Sequence, residues 1–411
     1  DTTYTTFDSA LDNAKAGDTI TLLENVTVHD ADETSSRTTI DKSIILDLNG
    51  KTIFGPNNMG ANNCNFAVLY ISADTTIIDS ASNGGINTQT NGAYCINVMD
   101  GAQLTINAGT YYGGGTAVQV QKGTLIINGG TFNCEPYDNP KYGYKFLINC
   151  VDSAYKDGTA KIIIKGGSFI NYDPSDSASE NPRGNFCAPG YVAVKNDATE
   201  NPVWTVEDHR VAEVEGTGYT TLASAIAEAD GKTVTLLKDV TESVVIPAGK
   251  TMTLDLNGHK LVNSATPQNE AVAKENRKHT ITNNGTLTIQ DSVGTGVVDN
   301  VSHQRAALYN NGTISEIKGG KFMRSVDNST DATSSKGNSW YVVYNADGAT
   351  ISKISDGEFL ALGHFSSLFC NSGTIGEICG GTFTQDGFIA FKNEGTITKI
   401  SGGTFSSRDE S

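Results

Sequence analysis

Proline and positive charge are both scarce in this sequence. Nine prolines stand in 411 residues, and 29 lysines and arginines face 46 aspartates and glutamates, a formal net charge of −17. A nucleic-acid surface needs a lysine and arginine excess on at least one face, so this balance argues against such a partner. Long apolar runs are missing too: no window approaches the roughly 18 consecutive apolar residues of a membrane span. The chain opens at Asp1 with no basic-then-apolar leader, and a leader removed earlier would leave no trace in it. The seven cysteines (Cys64, Cys95, Cys134, Cys150, Cys187, Cys370 and Cys379) are too few and scattered for a disulfide framework, and none forms a CxxC pair. They are expected to be mostly buried, bland thiols.

Glycine is abundant, 44 residues against a usual share of about 7%. With so little proline this is not a linker composition. The chain must turn often while staying ordered.

Internal repeats show how. YTTFDSAL at 4–11 returns as YTTLASAI at 219–226, DTITLLENV at 18–26 as KTVTLLKDV at 232–240, and LDLNGKTI at 46–53 as LDLNGHKL at 254–261, a duplication with a period near 210 residues. Each copy opens with an amphipathic helix, predicted over 6–16 and 221–230, because Phe7, Ala10, Leu11 and Ala14, like Leu222, Ala225, Ile226 and Ala229, recur at i, i+3, i+4 and i+7.

A finer repeat lies within each copy: NNGTISEIKGGKF, DGATISKISDGEF, NSGTIGEICGGTF and NEGTITKISGGTF place Phe322, Phe359, Phe383 and Phe405 at intervals of 37, 24 and 22 residues. Short β-branched strands divided by Asn-Gly and Gly-Gly turns at this period suit the coils of a parallel β-helix. Stacked coils about 4.8 Å apart put like above like. Ile314, Ile351, Ile375 and Ile397 form one expected column and the four phenylalanines another. A polar column of Asn283, Asn310, Asp347, Asn371 and Asn393 is expected at a corner, in left-handed backbone, passing amide bonds from coil to coil. Glycine pairs 129/130, 166/167, 319/320, 380/381 and 402/403 mark a second corner, where φ above zero suits a residue without Cβ.

The fold class expected is therefore all-β: two tandem right-handed parallel β-helices, each opened by a short N-terminal capping helix. The divisions are 1–190 for the first, 191–218 for a connecting segment free to pack as extra strands, and 219–411 for the second. The cap helices, the TITLLENVTV stretch, the LDLNGKTI strand and the GTL-x-I-x-GGTF coil resemble the pectate-lyase-like right-handed β-helix superfamily. More narrowly they resemble repetitive modules of bacterial surface proteins and some phage structural proteins. That superfamily holds lyases, hydrolases, adhesins and tailspikes, so the resemblance implies a fold more sharply than an activity.

A lyase of that kind would require calcium-binding aspartates and a basic proton acceptor, and a hydrolase paired carboxylates on one face. Asp47 and Asp255 each stand alone in an LDL strand and are expected to point away from the leucines; Asp79 and Asp291 read as corner residues satisfying backbone donors. Three Gly-Lys-Thr tripeptides lack the glycine that a phosphate loop needs five places earlier. DSASNGG at 79–85 has Ala81 at a calcium-ligand position, and the six histidines make no metal-spaced pair. No catalytic residue, metal or cofactor is expected, and the reading leans away from an enzyme.

Two excursions remain, residues 133–145 and 323–339. Loops leaving a rigid scaffold commonly carry binding, and aromatics beside polar residues suit sugar rings. The candidate ligand-binding residues are Tyr137, Tyr142, Tyr144, Trp340 and Tyr341, with Tyr111, Tyr112, Tyr155 and Tyr172 nearby in sequence. The leading expectation is a non-catalytic, secreted or surface-displayed scaffold for adhesion or for glycan or protein recognition, extracellular or on the cell surface. The alternatives are a polysaccharide lyase or glycoside hydrolase, and a phage fibre or capsid decoration protein. The oligomeric state is not encoded in any motif.

Overall fold

Each copy begins at a threonine that caps a helix. The Thr6 hydroxyl accepts the Ser9 N–H and starts Phe7–Asn13; the Thr221 hydroxyl accepts the Ser224 N–H and starts Leu222–Glu228. A lysine from a later turn closes each at its other end. Lys42 Nζ donates to the Leu11 and Asp12 carbonyls, and Lys250 Nζ to that of Ala227. The Glu242 carboxylate adds a second N-terminal cap by accepting from the Leu222 and Ala223 N–H groups. Both helices are shorter than the periodic pattern that announces them. Phe7 and Leu11, and Leu222, Ala225 and Ile226, are their buried faces.

The computed structural model describes residues 2–28, 37–56, 66–89, 93–180, 182–198, 201–269, 271–325 and 340–407, and within these it leaves out the side chains of 363–365 and 386–388. Cys64, His29, the His364 side chain and residues 326–339 of the second excursion lie outside that description. The protein is all-β with few helices, and most of its strand pairs are parallel. It divides into two units, Asp1–Asp208 and His209–Ser411.

In the first unit every third strand pairs in parallel, which yields three sheets through which the chain passes in turn. This arrangement is compatible with a β-helix. Thr19–Thr21 lies on Ile44–Asp47, that on Thr75–Ile78, and so on to Ala160–Ile164. The parallel stack stops where Val203–Asp208 runs antiparallel to Ser168–Ile170 and is itself paired with Tyr191–Asn196. Much of the stretch expected as a connector is therefore sheet. In the second unit Ala212–Val214 runs antiparallel to Thr217–Tyr219 and Thr233–Leu236, and parallel stacking follows.

The expected interior columns form in register. Ile314, Ile351, Ile375 and Ile397 are successive partners, as are Phe322, Phe359, Phe383 and Phe405. The rings stack at 5.1, 4.9 and 4.7 Å, within about 10° of parallel. In the first unit Tyr111, Phe132 and Phe169 stack at 5.0 and 5.1 Å. Each such pair contributes about 0.5–1.5 kcal/mol beyond its burial.

The polar column exists, with one corrected member and a corrected backbone. Asn283 donates its amide to Asn310, Asn310 to Asn345, and Asn345 to Asn371, each at 2.8 Å; Asn371 donates to Asn393 at 2.7 Å. Asn345, not Asp347, occupies the third rung, because the corner Ala346–Ala349 is two residues longer than its neighbours, while Asn345 stays paired with Asn371. These asparagines end strands and are not left-handed. Left-handed asparagines occur elsewhere, among them Asn49 and Asn257, each followed by a positive-φ glycine, in the two LDLNG corners. There the Asn49 and Asn257 amides donate to the carbonyls of Leu22 and Leu236 in the preceding coil.

The glycine pairs meet two requirements. The second member, at Gly130, Gly167, Gly320, Gly381 and Gly403, has φ between 91° and 105°. The first, at Gly129, Gly166, Gly380 and Gly402, faces a carbonyl of the preceding coil and leaves no room for a Cβ, whereas Gly319 has ordinary space around it.

Candidate binding face

The tyrosines of residues 133–145 belong to the first unit and bind one another first. Tyr137 bridges to Gly143 across a tight turn and meets Tyr142 at 6.3 Å and Phe146 at 5.7 Å, both edge to face. Its ring also covers Gly115, where any Cβ would collide with it. Tyr144 packs against the first unit's core, and Lys141 and Lys145 lie over the Tyr142 and Phe146 rings. The three tyrosines and Phe146 are half-buried. The neighbouring Tyr111 and Tyr172 are interior, their hydroxyls donating to the Ala108 and Ile148 carbonyls.

Trp340 and Tyr341 join a larger array on the second unit. Trp340 precedes and Tyr341 starts the strand Tyr341–Asn345, whose Tyr344 faces away from Val343 and Asn345 and is registered with Tyr309. Tyr309 and Tyr344 stack at 5.2 Å and 14°; His279 stacks on the other face of Tyr309 at 4.5 Å, and Trp340 lies 5.9 Å from Tyr344 at 10°. Tyr341 abuts both Trp340 and Tyr344 edge-on. His279, Tyr309 and Tyr344 were not singled out from the sequence. Their signal was faint: the residue before each ladder asparagine faces outward, and these positions read Thr282, Tyr309, Tyr344, Cys370 and Lys392.

Beside this array lies a cationic cluster that no motif announces. Arg305 is tethered by three backbone carbonyls, through Nε to Arg277 O at 2.7 Å, Nη1 to Gln304 O at 2.8 Å and Nη2 to Lys274 O at 2.7 Å. Arg277 is 7% exposed and donates from Nη1 to His303 O at 3.3 Å, while its buried Nε–H has no acceptor. Arg324 is fully buried and donates to Ser302 O at 2.9 Å. The His279 imidazole accepts the Ala306 N–H at Nδ1, which places its own proton on Nε2. Burial first, then the Arg305 and Arg324 charges, pushes its pKa down to about 3, so the ring is neutral at neutral pH. The half-buried Asn263 and Gln268 and the buried Thr280, Asn300 and Ser302 hold the surrounding loops by bonding one another and backbone groups. Asp299, also buried, is paired with Lys260 at 2.8 Å.

The carboxylates weighed for catalysis are occupied elsewhere. Asp47 and Asp255 are covered, not exposed: Asp47 accepts from Asn49 N, Ser80 N and Ser80 Oγ, and Asp255 from Asn257 N, Ser292 N and Gln290 Nε2. Burial works to raise both pKa values, yet these bonds outweigh it and leave both lowered. Asp79 accepts from Gly50 and Gly84, Asp291 from Gly258 and Gly296, as corner residues. Among the described residues no group of three histidines, cysteines or acids is placed to hold a metal. The described cysteines are free, and burial pushes the Cys134 thiol up to about 12 and Cys187 to about 11. No helix is long and apolar enough to cross a membrane.

Among the described acids Glu180, in the first unit, is the one whose pKa is clearly raised. It is 5% exposed; Oε1 accepts from Cys150 N and Ser179 Oγ, while Oε2 is buried without a partner, and burial raises its pKa. A raised carboxyl pKa gives stability that is complete below the unfolded value and is lost as pH rises through the folded one. Glu180→Gln keeps the Oε1 acceptor without the charge. Its melting temperature at pH 7 should exceed that of the wild type, and the gap should close as pH falls towards 4; a lower melting temperature at pH 7 would contradict this reading.

Searches for relatives found no protein-family model, no curated protein and no solved structure that matches this chain.

Proposed function

We propose that the chain is a non-catalytic, secreted or cell-surface module: two tandem right-handed parallel β-helices, within 1–190 and 219–411, each opened by its capping helix and used as a rigid scaffold for glycan recognition. The observation that carries the recognition role is the outward stack of His279, Tyr309, Tyr344 and Trp340, half-buried or more and fixed by a strand register. Rings locked in this way have little side-chain entropy left to lose on binding, and the row of ring edges and phenol hydroxyls they present outward suits a saccharide. The tyrosine turn at 137–146 is a second, smaller candidate, more fully engaged with itself.

Calorimetric titration of the purified chain with neutral and acidic oligosaccharides tests this. Binding is expected to fall roughly 30-fold in Trp340→Ala, the loss of about 2 kcal/mol typical of a central aromatic anchor, and to be unchanged in Tyr142→Ala. Cleavage of an oligosaccharide, abolished by one carboxylate substitution, would replace this reading with a polysaccharide lyase or hydrolase. A stable trimer that binds no saccharide would favour a fibre or capsid protein.

A further inference from the structure

We infer that Arg277, Arg305 and His279 form an oxyanion site at the edge of the aromatic stack, so that the ligand is a ring compound bearing a sulfate or carboxylate group. This deepens the glycan reading and rests on it for the ring, though not for the anion.

The chain carries a net −17, yet neither Arg277 nor Arg305 has a carboxylate partner among the described residues; their hydrogen bonds there go to backbone carbonyls. A guanidinium removed from water without a counter-charge is costly. Arg305 and Arg277 also oppose one another, since the Arg277 charge and, more strongly, burial lower the Arg305 pKa.

Donors are the second point. Of the five N–H groups on Arg305, three are engaged by the carbonyls of Arg277, Gln304 and Lys274, which fixes the fork and leaves the others unclaimed. Arg277 contributes an N–H at Nε that is buried with no acceptor. His279 has its Nδ1 occupied by Ala306 N–H, so its Nε2–H is a neutral donor without a described protein acceptor. Cationic and neutral donors held by the backbone before the ligand arrives form an anion site that needs little reorganisation.

The third point is the link to the rings. His279 stacks at 4.5 Å on Tyr309, which stacks on Tyr344. One imidazole thus serves both as the first ring of the platform and as a donor of the anion site. A sugar lying along the outer edges of Tyr309 and Tyr344 would bring a charged substituent to the arginines.

The experiment titrates the full-length protein with inorganic sulfate, a neutral saccharide, and its sulfated and carboxylated counterparts, at matched ionic strength. At least one anionic form should bind 10-fold or more tightly than the neutral parent, and which one does identifies the oxyanion. Sulfate should also raise the melting temperature of the wild type more than that of Arg305→Gln, a difference that the general stabilisation by excluded sulfate, common to both, does not produce. Arg305→Gln should abolish the preference for the anionic form and leave neutral-saccharide binding intact, and Arg305→Lys should restore part of it; Trp340→Ala should weaken neutral and anionic saccharides alike. Equal binding of neutral and charged forms, with equal sulfate shifts in wild type and Arg305→Gln, would overturn the inference while leaving glycan recognition standing. Sulfate binding lost in Arg305→Gln without any saccharide binding would support the anion site and overturn the glycan reading.

Discussion

Asn310→Asp is expected to lower the melting temperature of the second unit by about 10 °C or more. Asn310 is fully buried, accepts from Asn283 Nδ2 and Gly312 N through Oδ1, and donates through Nδ2 to Asn345 Oδ1, Gly312 O and Thr350 O. Those three acceptors fix which end of the amide is nitrogen. The substitution sets a second carboxylate oxygen against all three of them and buries a charge, a loss of roughly 3–5 kcal/mol or more from a total of about 5–15. The introduced carboxyl would have a folded pKa above its unfolded value. Stability should therefore recover below about pH 4, where the protonated group regains one donor. Asn393→Asp, at the exposed last rung, should cost far less, since Asn393 has no further asparagine to donate to and passes its amide only to Gly395 O. Scanning calorimetry of both variants across pH tests the pair. Equal, small shifts at the two positions would show that the amide ladder contributes little.

Phe359→Ala should be comparably severe. Its ring is fully buried between Phe322 and Phe383 and meets Phe369 edge-on at 5.1 Å. Truncating such a residue costs about 3–5 kcal/mol, and more where neighbours cannot close the void. Here they cannot, because the backbone on either side is held in parallel register by the coils above and below. Phe405→Ala removes the same ring from the end of the same column, where it is 47% exposed and stacked on Phe383 alone in that column; its cost should be below about 1 kcal/mol. Phe359→Leu should restore most of the loss. Chemical denaturation of the three variants gives the ranking, and near-equal values for Phe359→Ala and Phe405→Ala would contradict a tightly packed column.

What the sequence made legible was whatever repeats chemically. Isoleucine, phenylalanine and the second glycine of each pair return at one place per coil because only those types fit there. The amide column was legible as well, but its third rung was misplaced at Asp347, because the inserted residues at 346–349 shift the spacing to the next strand while leaving the pairing untouched. Spacing counts residues, whereas register counts hydrogen bonds. Asp47 and Asp255 were rightly set apart from the leucines, but Ser80 and Ser292 of the next coil cover them, and no single strand could reveal that. Outward positions follow no chemical rule, so Tyr309 and Tyr344 were hidden in a series that also holds threonine, cysteine and lysine. Arg277, Arg305 and Arg324 are 28 and 19 residues apart, and only the return of the chain to the same edge assembles them.

Every rung of the asparagine column donates in the same sense, from Asn283 towards Asn393. The column is thus a polarised wire, in which each amide dipole aligns the next. No single amide can reverse without setting nitrogen against nitrogen at one side and oxygen against oxygen at the other. Length in this unit is consequently digital. A segment can be inserted or deleted only as a whole turn that brings its own asparagine in the same orientation, whereas extra residues between rungs, like those at 346–349, pass unnoticed.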